Sequence, residues 1–313
     1  NFGDHHCWSG TTSADYIIDF RNWGYSLSNG IRKFNKEKII IQPYYPISDK
    51  NHFQGFPKLT KGKVIIFTGG ANYKFEDENM TFFKILLRIL IDNAEAIVLF
   101  ACRGDGAIIR EFIKKNELVN RLFLIDYRKD LSEVFKHIDI YLSTYPSGGG
   151  LMPQYAAING RPILEYNNDE YLNHGTIEYH DFTNLGHSYR TKYVDLELFY
   201  KEANRLIRDK DYRECIGSIL KQFVISEDKF NESVKEIYLY NRSLLKPENV
   251  DFDYEQYRSA FSLISFSQKL SFLSKLLYRY FSIKYLYKFP FKIVFHSTIL
   301  VLYSLMVREL KNR

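Results

Sequence analysis

Cysteine is scarce in this chain of 313 residues: Cys7, Cys102 and Cys215 stand at unrelated spacings. An odd number without a CxxC pair excludes a disulfide framework and a cysteine-rich metal site, and it points to a reducing cytosol. Two phosphate-binding signatures are also missing. There is no GxxxxGK(S/T), which counts against a P-loop nucleotidase, and no GxGxxG with a downstream acid, which counts against a nicotinamide dehydrogenase. His137, His174, His180, His187 and His296 lack metal-ligand spacing and read as structural or surface residues. No secretory leader, internal repeat or low-complexity block stands out. The chain opens on Asn1 in what reads as the interior of a domain, so part of a natural N-terminus is expected to precede it.

What is abundant is aromatic: 25 Tyr and 25 Phe bring the aromatic share to 17%. With many Asn, Lys and Ile, this reflects an AT-biased genome as much as a function. Charge is unevenly placed. Residues 269–313 carry nine Lys/Arg against Glu309 alone, a net +8, so the rest of the chain is left at −2 out of the total +6. A nucleic-acid binder spreads its charge over the folded body, so nucleic acid is not an expected partner.

Residues 37–41 are a short apolar run, and the Pro/Gly-punctuated stretch after it reads as a connection between domains. From Lys63 a regular pattern sets in. Apolar runs at 63–68, 96–101, 121–125, 138–142 and 162–165 alternate with helical segments near 76–92, 105–117, 130–137 and 151–159. Runs apolar on every residue suit strands covered on both faces, and the alternation predicts right-handed βαβ units on a Rossmann-like parallel sheet. The fold class is thus α/β with C-terminal helices, since 195–242 read as charged amphipathic helices. Asp195 suits an N-cap, and Asp209 to Asp211 a break. The predicted organisation is a remnant of a preceding domain with its linker at 1–60, a nucleotide-binding domain at 61–255 and a basic aromatic tail at 256–313.

Open parallel sheets collect ligands beyond the carboxyl ends of their strands. Three loops there carry suitable chemistry. Gly69 and Gly70 would let the backbone approach a phosphate, with Tyr73 and Lys74 following, the lysine supplying charge. Tyr127 would stack on a base, and Arg128 would hold a phosphate or base edge. Gly148, Gly149 and Gly150 lead straight into a helix, whose free N–H groups and dipole favour an anion. Each loop alone can be a plain turn or a solvated loop. Their joint occurrence on one sheet edge points to a diphosphate.

The segment Asp139 to Gly150 (DIYLSTYPSGGG), followed by Ala156 to Pro162 (AAINGRP), resembles the donor-site stretch of GT-B glycosyltransferases. Within them, the O-GlcNAc-transferase-like enzymes are most similar. Trp8 to Ile18 looks like their Gly-Thr-Ser-Gly followed by Asp-Tyr, Glu37 to Ile41 with Pro43 looks like the end of their first catalytic domain, and Tyr73-Lys74 matches a Tyr-Lys whose lysine contacts the donor diphosphate. The resemblance covers about residues 8–210. It implies two facing Rossmann-like domains, a UDP-sugar donor, a hexosyl or N-acetylhexosaminyl transfer, and no metal or other cofactor. The chain departs from the family where Leu151 and Met152 replace threonines, where Tyr155 with Gln154 beside it stands for a ribose-binding acid, and where Leu131 replaces a base-stacking histidine. Glu165 has no partner for the E-x7-E pair of many retaining enzymes, so inversion is expected.

Inverting transfer needs a base for the acceptor hydroxyl and electrostatic help for the departing diphosphate. Lys74, Arg128 and the triple-glycine turn suit the second task. For the first, Asp4, His5 and His6 form the densest acid–histidine cluster, although the base can equally belong to the preceding portion. In the tail, Lys284, Lys288 and Lys292 recur every four residues, and Ile293 to Val307 form an apolar run of 15. As a helix that run spans ~22 Å against a ~30 Å hydrocarbon core, so an interfacial anchor on anionic lipid fits better than a span. The expected setting is the inner face of the cell membrane, and the expected acceptor a saccharide or lipid-linked sugar in surface polysaccharide synthesis. Two other functions compete: a UDP-sugar epimerase, and a non-catalytic sugar-nucleotide-binding subunit of an assembly complex.

Overall fold

Short apolar stretches near the start of the chain pair first. In the computed structural model, which describes residues 15–20, 22–31, 33–43, 45, 51–125, 128–146, 148–149, 151–166 and 192–246, β1 (Ile17–Asp19) lies parallel to β2 (Ile39–Ile41) in a small sheet of its own. Between them runs α1 (Asn22–Ser26), continued by one π-helical turn. Tyr25, Ile39 and Ile41 form a small separate cluster, closed by Phe34 and Leu245. All described residues belong to one compact unit; a second unit, residues 6–9 and 253–313, lies outside them. The tail with its apolar run is therefore not described, and among the described residues no helix is long and apolar enough to cross a membrane.

The main sheet has six parallel strands: β3 (Val64–Ala71), β4 (Ala96–Arg103), β5 (Leu122–Ile125), β6 (Ile140–Leu142), β7 (Ile163–Tyr166) and β8 (Lys192–Tyr193). Their spatial order is β5-β4-β3-β6-β7-β8. The chain starts in the middle, winds outward one way, then returns to wind the other way. This is the doubly wound Rossmann order, and its direction reverses between β3 and β6. Ile66, Phe67, Val98, Leu99 and Ile140 are buried, as strands with cover on both faces require.

Helices supply that cover: α2 (Thr81–Asp92), α3 (Ala107–Lys115), α4 (Leu131–His137), α5 (Leu151–Ile158), α6 (Leu196–Arg208) and α7 (Lys210–Phe223), whereas α8 (Glu227–Tyr240) adds nothing to that core and buries Ser233, whose hydroxyl donates to Gln42. α2 shows how the sequence sets them. Phe82, Phe83, Ile85, Leu86, Ile89 and Leu90 recur at helical spacing and are all buried, each contributing roughly 1.5–3 kcal/mol. The helix starts at Thr81 rather than near Glu76, because the Asp77 carboxylate accepts from both the Thr81 amide and its hydroxyl. Asp195 and Asp209 cap α6 and α7 by accepting from the amides of Leu198 and Tyr212.

Two further devices fix the frame. Asp139, at the foot of β6, accepts from the Ile65 amide at 2.8 Å and pairs with Arg213 of α7. Gly160 ends α5 with a φ of +62°, and Gly217 lets α7 press onto it: a Cβ there would stand 1.9 Å from the Gly160 carbonyl oxygen.

The candidate donor rim

Where the strand order reverses, the carboxyl ends of β3 and β6 flank the position at which open parallel sheets collect ligands. Lys74 lies on one side of it, in the single 3-10 turn Asn72–Lys74 after β3. On the other side lies the Gly148–Gly149 turn, between β6 and α5. The two meet. Lys74 Nζ donates to the Gly148 carbonyl at 3.2 Å, and a Cβ on Gly149 would sit 3.5 Å from that nitrogen. No carboxylate among the described residues pairs with Lys74. Burial alone pulls its pKa below the usual lysine range. A half-buried ammonium that no described carboxylate pairs, beside the start of a helix whose first amides have no partner within the helix, suits an anion.

Behind the turn stands a polar wall. Tyr141 and Ser143, two residues apart along the chain, share a face with Glu165 of neighbouring β7. A Cβ on Gly148 would meet Ser143 Oγ at 2.9 Å and Glu165 Oε1 at 3.6 Å; one on Gly149 would stand 3.8 Å from the Tyr141 hydroxyl. Burial first, then the Glu165 charge, push the Tyr141 phenol well above its usual range, so it stays a neutral donor. These three residues went unassigned in the sequence. The signal was present in the two-residue spacing of Tyr141 and Ser143 within an apolar strand, and Glu165 lies in register beside them.

The other expected site residues divide. Gly69 and Gly70 belong to β3 itself and not to a turn after it. Gly69 serves strand contact, since a Cβ would stand 2.0 Å from the Ala101 carbonyl oxygen of β4. Gly70 makes room for the lysine, with Lys74 Cδ 2.9 Å from where its Cβ would be. Tyr73 shares the turn of Lys74, and Gln154 is half-buried in α5.

Arg128 needs correction. It is buried, with its guanidinium in a two-pronged ion pair to Asp130 (Nε–Oδ1 2.7 Å, Nη2–Oδ2 2.6 Å) and Nη1 on the Gly55 carbonyl. Phe53 and Phe56 lie against it. Three of its five guanidinium N–H groups are spent inside the protein and its charge is matched by Asp130, so it fastens segment 51–57 beside α4 rather than presenting an open charge to a phosphate. Asp4, His5, His6, Tyr127 and Gly150 lie outside the described residues. Among the described residues no cluster of three His, Cys, Asp or Glu could hold a metal ion.

No family model and no curated protein matches this chain. Solved structures do. TarM of S. aureus, in a complex containing UDP, aligns with a TM-score of 0.52 at 14% identity, over 73% of this chain and 44% of its own. WaaG, a glycosyltransferase involved in lipopolysaccharide biosynthesis, gives 0.51 at 12%, over 72% and 62%. A putative UDP-N-acetylglucosamine 2-epimerase from Listeria monocytogenes gives 0.54 at 11%, over 76% and 62%. The likeness is one of fold. This chain has the Rossmann-like parallel-sheet architecture of GT-B glycosyltransferases, and it spans less than two thirds of each of these three proteins.

Proposed function

We propose that this chain binds a nucleoside-diphosphate sugar, with UDP as the nucleotide, as the donor half of a GT-B glycosyltransferase serving a saccharide or lipid-linked acceptor in surface polysaccharide synthesis. One observation carries the reading: the Lys74 ammonium, which no described carboxylate pairs, meets the Gly148–Gly149 turn where the strand order reverses. A pyrophosphate there would be held by Lys74, by the amides of the turn and by the N-terminal end of α5. The same groups suit the departing UDP, because charge grows on its oxygens as the bond to the sugar breaks. Tyr141, kept protonated, and Glu165 stand within the wall of that site to meet hydroxyls. The acceptor base is assigned to the Asp4–His5–His6 segment or to a facing domain, and the acceptor is presented from a membrane surface by the basic tail. The fold similarity to WaaG and TarM supports this reading.

A second reading has an observation of its own, since the putative 2-epimerase shares the fold as well as the transferases do. Thermal-shift titration with UDP, GDP, CMP and dTDP tests the common part, and the response is expected to be greatest with UDP and absent in Lys74→Ala. No shift with any nucleotide would sink both readings. Interconversion of UDP-N-acetylglucosamine without acceptor would select the epimerase.

A further inference from the structure

A second basic site lies at the opposite end of the sheet. Lys58, Lys61 and Lys63 line one cleft of about 610 Å³ together with Phe53, Phe56 and His137, beside the first residues of β3. Among the described residues no aspartate or glutamate lines it. The lysines come from the short 3-10 turn Lys58–Thr60 and the tight turn after it, where Gly62 adopts a φ of +74°. That geometry crowds three cations into six residues. All three are exposed; among the described residues none is ion-paired, and the Lys63 ammonium donates to the Ala94 carbonyl. Three like charges so close repel one another and gain from any shared counter-ion.

The cleft is also held in shape. Phe53 stacks on His137 at 4.1 Å and meets Phe56 edge-on at 5.0 Å. Arg128 lies under both rings, its own charge matched by Asp130. The carbonyls ending α4, which would repel an anion, are occupied: Arg161 donates to those of Phe135 and Lys136. The described lining therefore carries lysine charge and no carboxylate, over an aromatic floor. β3 separates it from the donor rim by roughly 20 Å, from about 3.3 Å per residue over the strand.

We propose that this cleft is an anion site for a phosphoryl group carried on an organic body, distinct from the donor rim. The lysines neutralise the dianion and the phenylalanines bear on its carrier. The carrier is either a soluble phosphate ester or the headgroup of an anionic lipid.

The test uses the full chain with two probes: glycerol 3-phosphate by calorimetry, and phosphatidylglycerol–phosphatidylcholine vesicles by co-sedimentation against pure phosphatidylcholine. Replacing Lys58, Lys61 and Lys63 together by glutamine is expected to weaken binding of at least one probe tenfold or more, with the melting temperature and the UDP response unchanged. Lys61→Glu alone should lower it in the same direction. Loss confined to glycerol 3-phosphate identifies a soluble ester, and loss confined to vesicles a lipid headgroup. The proposal is overturned if the wild type binds neither probe, or if the triple variant binds both like the wild type. Because Lys74→Met should leave these readouts intact, failure here is separable from failure of the donor-site reading.

Discussion

Lys74→Met separates what this lysine does for the fold from what it does for a ligand, because the two effects have opposite signs. In the free protein the ammonium is half-buried and, among the described residues, donates to the Gly148 carbonyl and pairs with no carboxylate. Its pKa is depressed by burial, so the folded chain holds that proton less tightly than the unfolded chain does. The charge therefore opposes folding in full at every pH below the depressed folded pKa, and the penalty fades as pH rises from there and is gone above the unfolded value near ~10.4. An unbranched apolar side chain of similar length removes the penalty. A gain of up to ~1 kcal/mol is expected, a rise of roughly 2–4 °C in melting temperature at pH 7. Binding goes the other way. A unit charge ~4 Å from a phosphate oxygen is worth about 4 kcal/mol at an effective dielectric of ~20. Net of desolvation, a hydrogen bond to a charged group leaves ~1.5–3 kcal/mol, so the dissociation constant for UDP should rise roughly 10- to 150-fold. Differential scanning fluorimetry reads the first effect and titration calorimetry the second. An anion also raises the lysine pKa, so at alkaline pH the wild type should take up protons on binding UDP, seen as a dependence of the heat on buffer ionisation. A lower melting temperature in the variant, or an unchanged UDP affinity, would refute the argument.

Gly149→Ala should fold normally, since a Cβ there makes only ordinary contacts, yet its methyl would stand 3.5 Å from Lys74 Nζ; UDP affinity is expected to fall at least tenfold with the melting temperature within about 2 °C. Gly217→Ala should do the reverse. Its Cβ would lie 1.9 Å from the Gly160 carbonyl oxygen, and denaturant unfolding should show a loss of about 1–3 kcal/mol or more with UDP binding kept in the folded fraction. Asp130→Asn leaves Arg128 buried without its counter-charge, for a loss of about 3–5 kcal/mol in the same assay. Burial pushes the Asp130 carboxyl up, but the hydrogen bonds from Arg128 and the Gln54 amide outweigh it, leaving the carboxyl below its usual range. Its stabilisation is thus complete above the ordinary aspartate value of ~3.9 and lost as pH falls through the lower folded one. Acid unfolding of the wild type should show that loss below about pH 4, and the asparagine variant should not.

The regular part of the fold was legible because its signals are local. Runs such as Ala96–Ala101 are apolar at every position, which suits only a strand covered twice, and α2 shows its stripe at helical spacing. The cap at Asp195 could be read for the same reason, as could the break at Asp209, where the structure adds a cap on α7. Arg128 misled because an exposed loop arginine and a buried one look alike in sequence. Its partner Asp130 is two residues away, but the burial comes from Phe53 and Phe56, more than seventy residues earlier. The glycine pair misled in a related way. Gly69 answers to a carbonyl of the neighbouring strand, which no pattern around position 69 announces.

By itself the sequence determined a doubly covered parallel sheet with helices, because strand and helix periodicities are properties of consecutive residues. It also marked Lys74 and the glycine turn before α5 as separate features suited to phosphate. The tertiary structure decided that these two, 74 residues apart, lie 3.2 Å from each other. Strand order produced that meeting: with β3 central and β6 beside it, the loops that follow these two strands are neighbours at the carboxyl rim where the winding reverses.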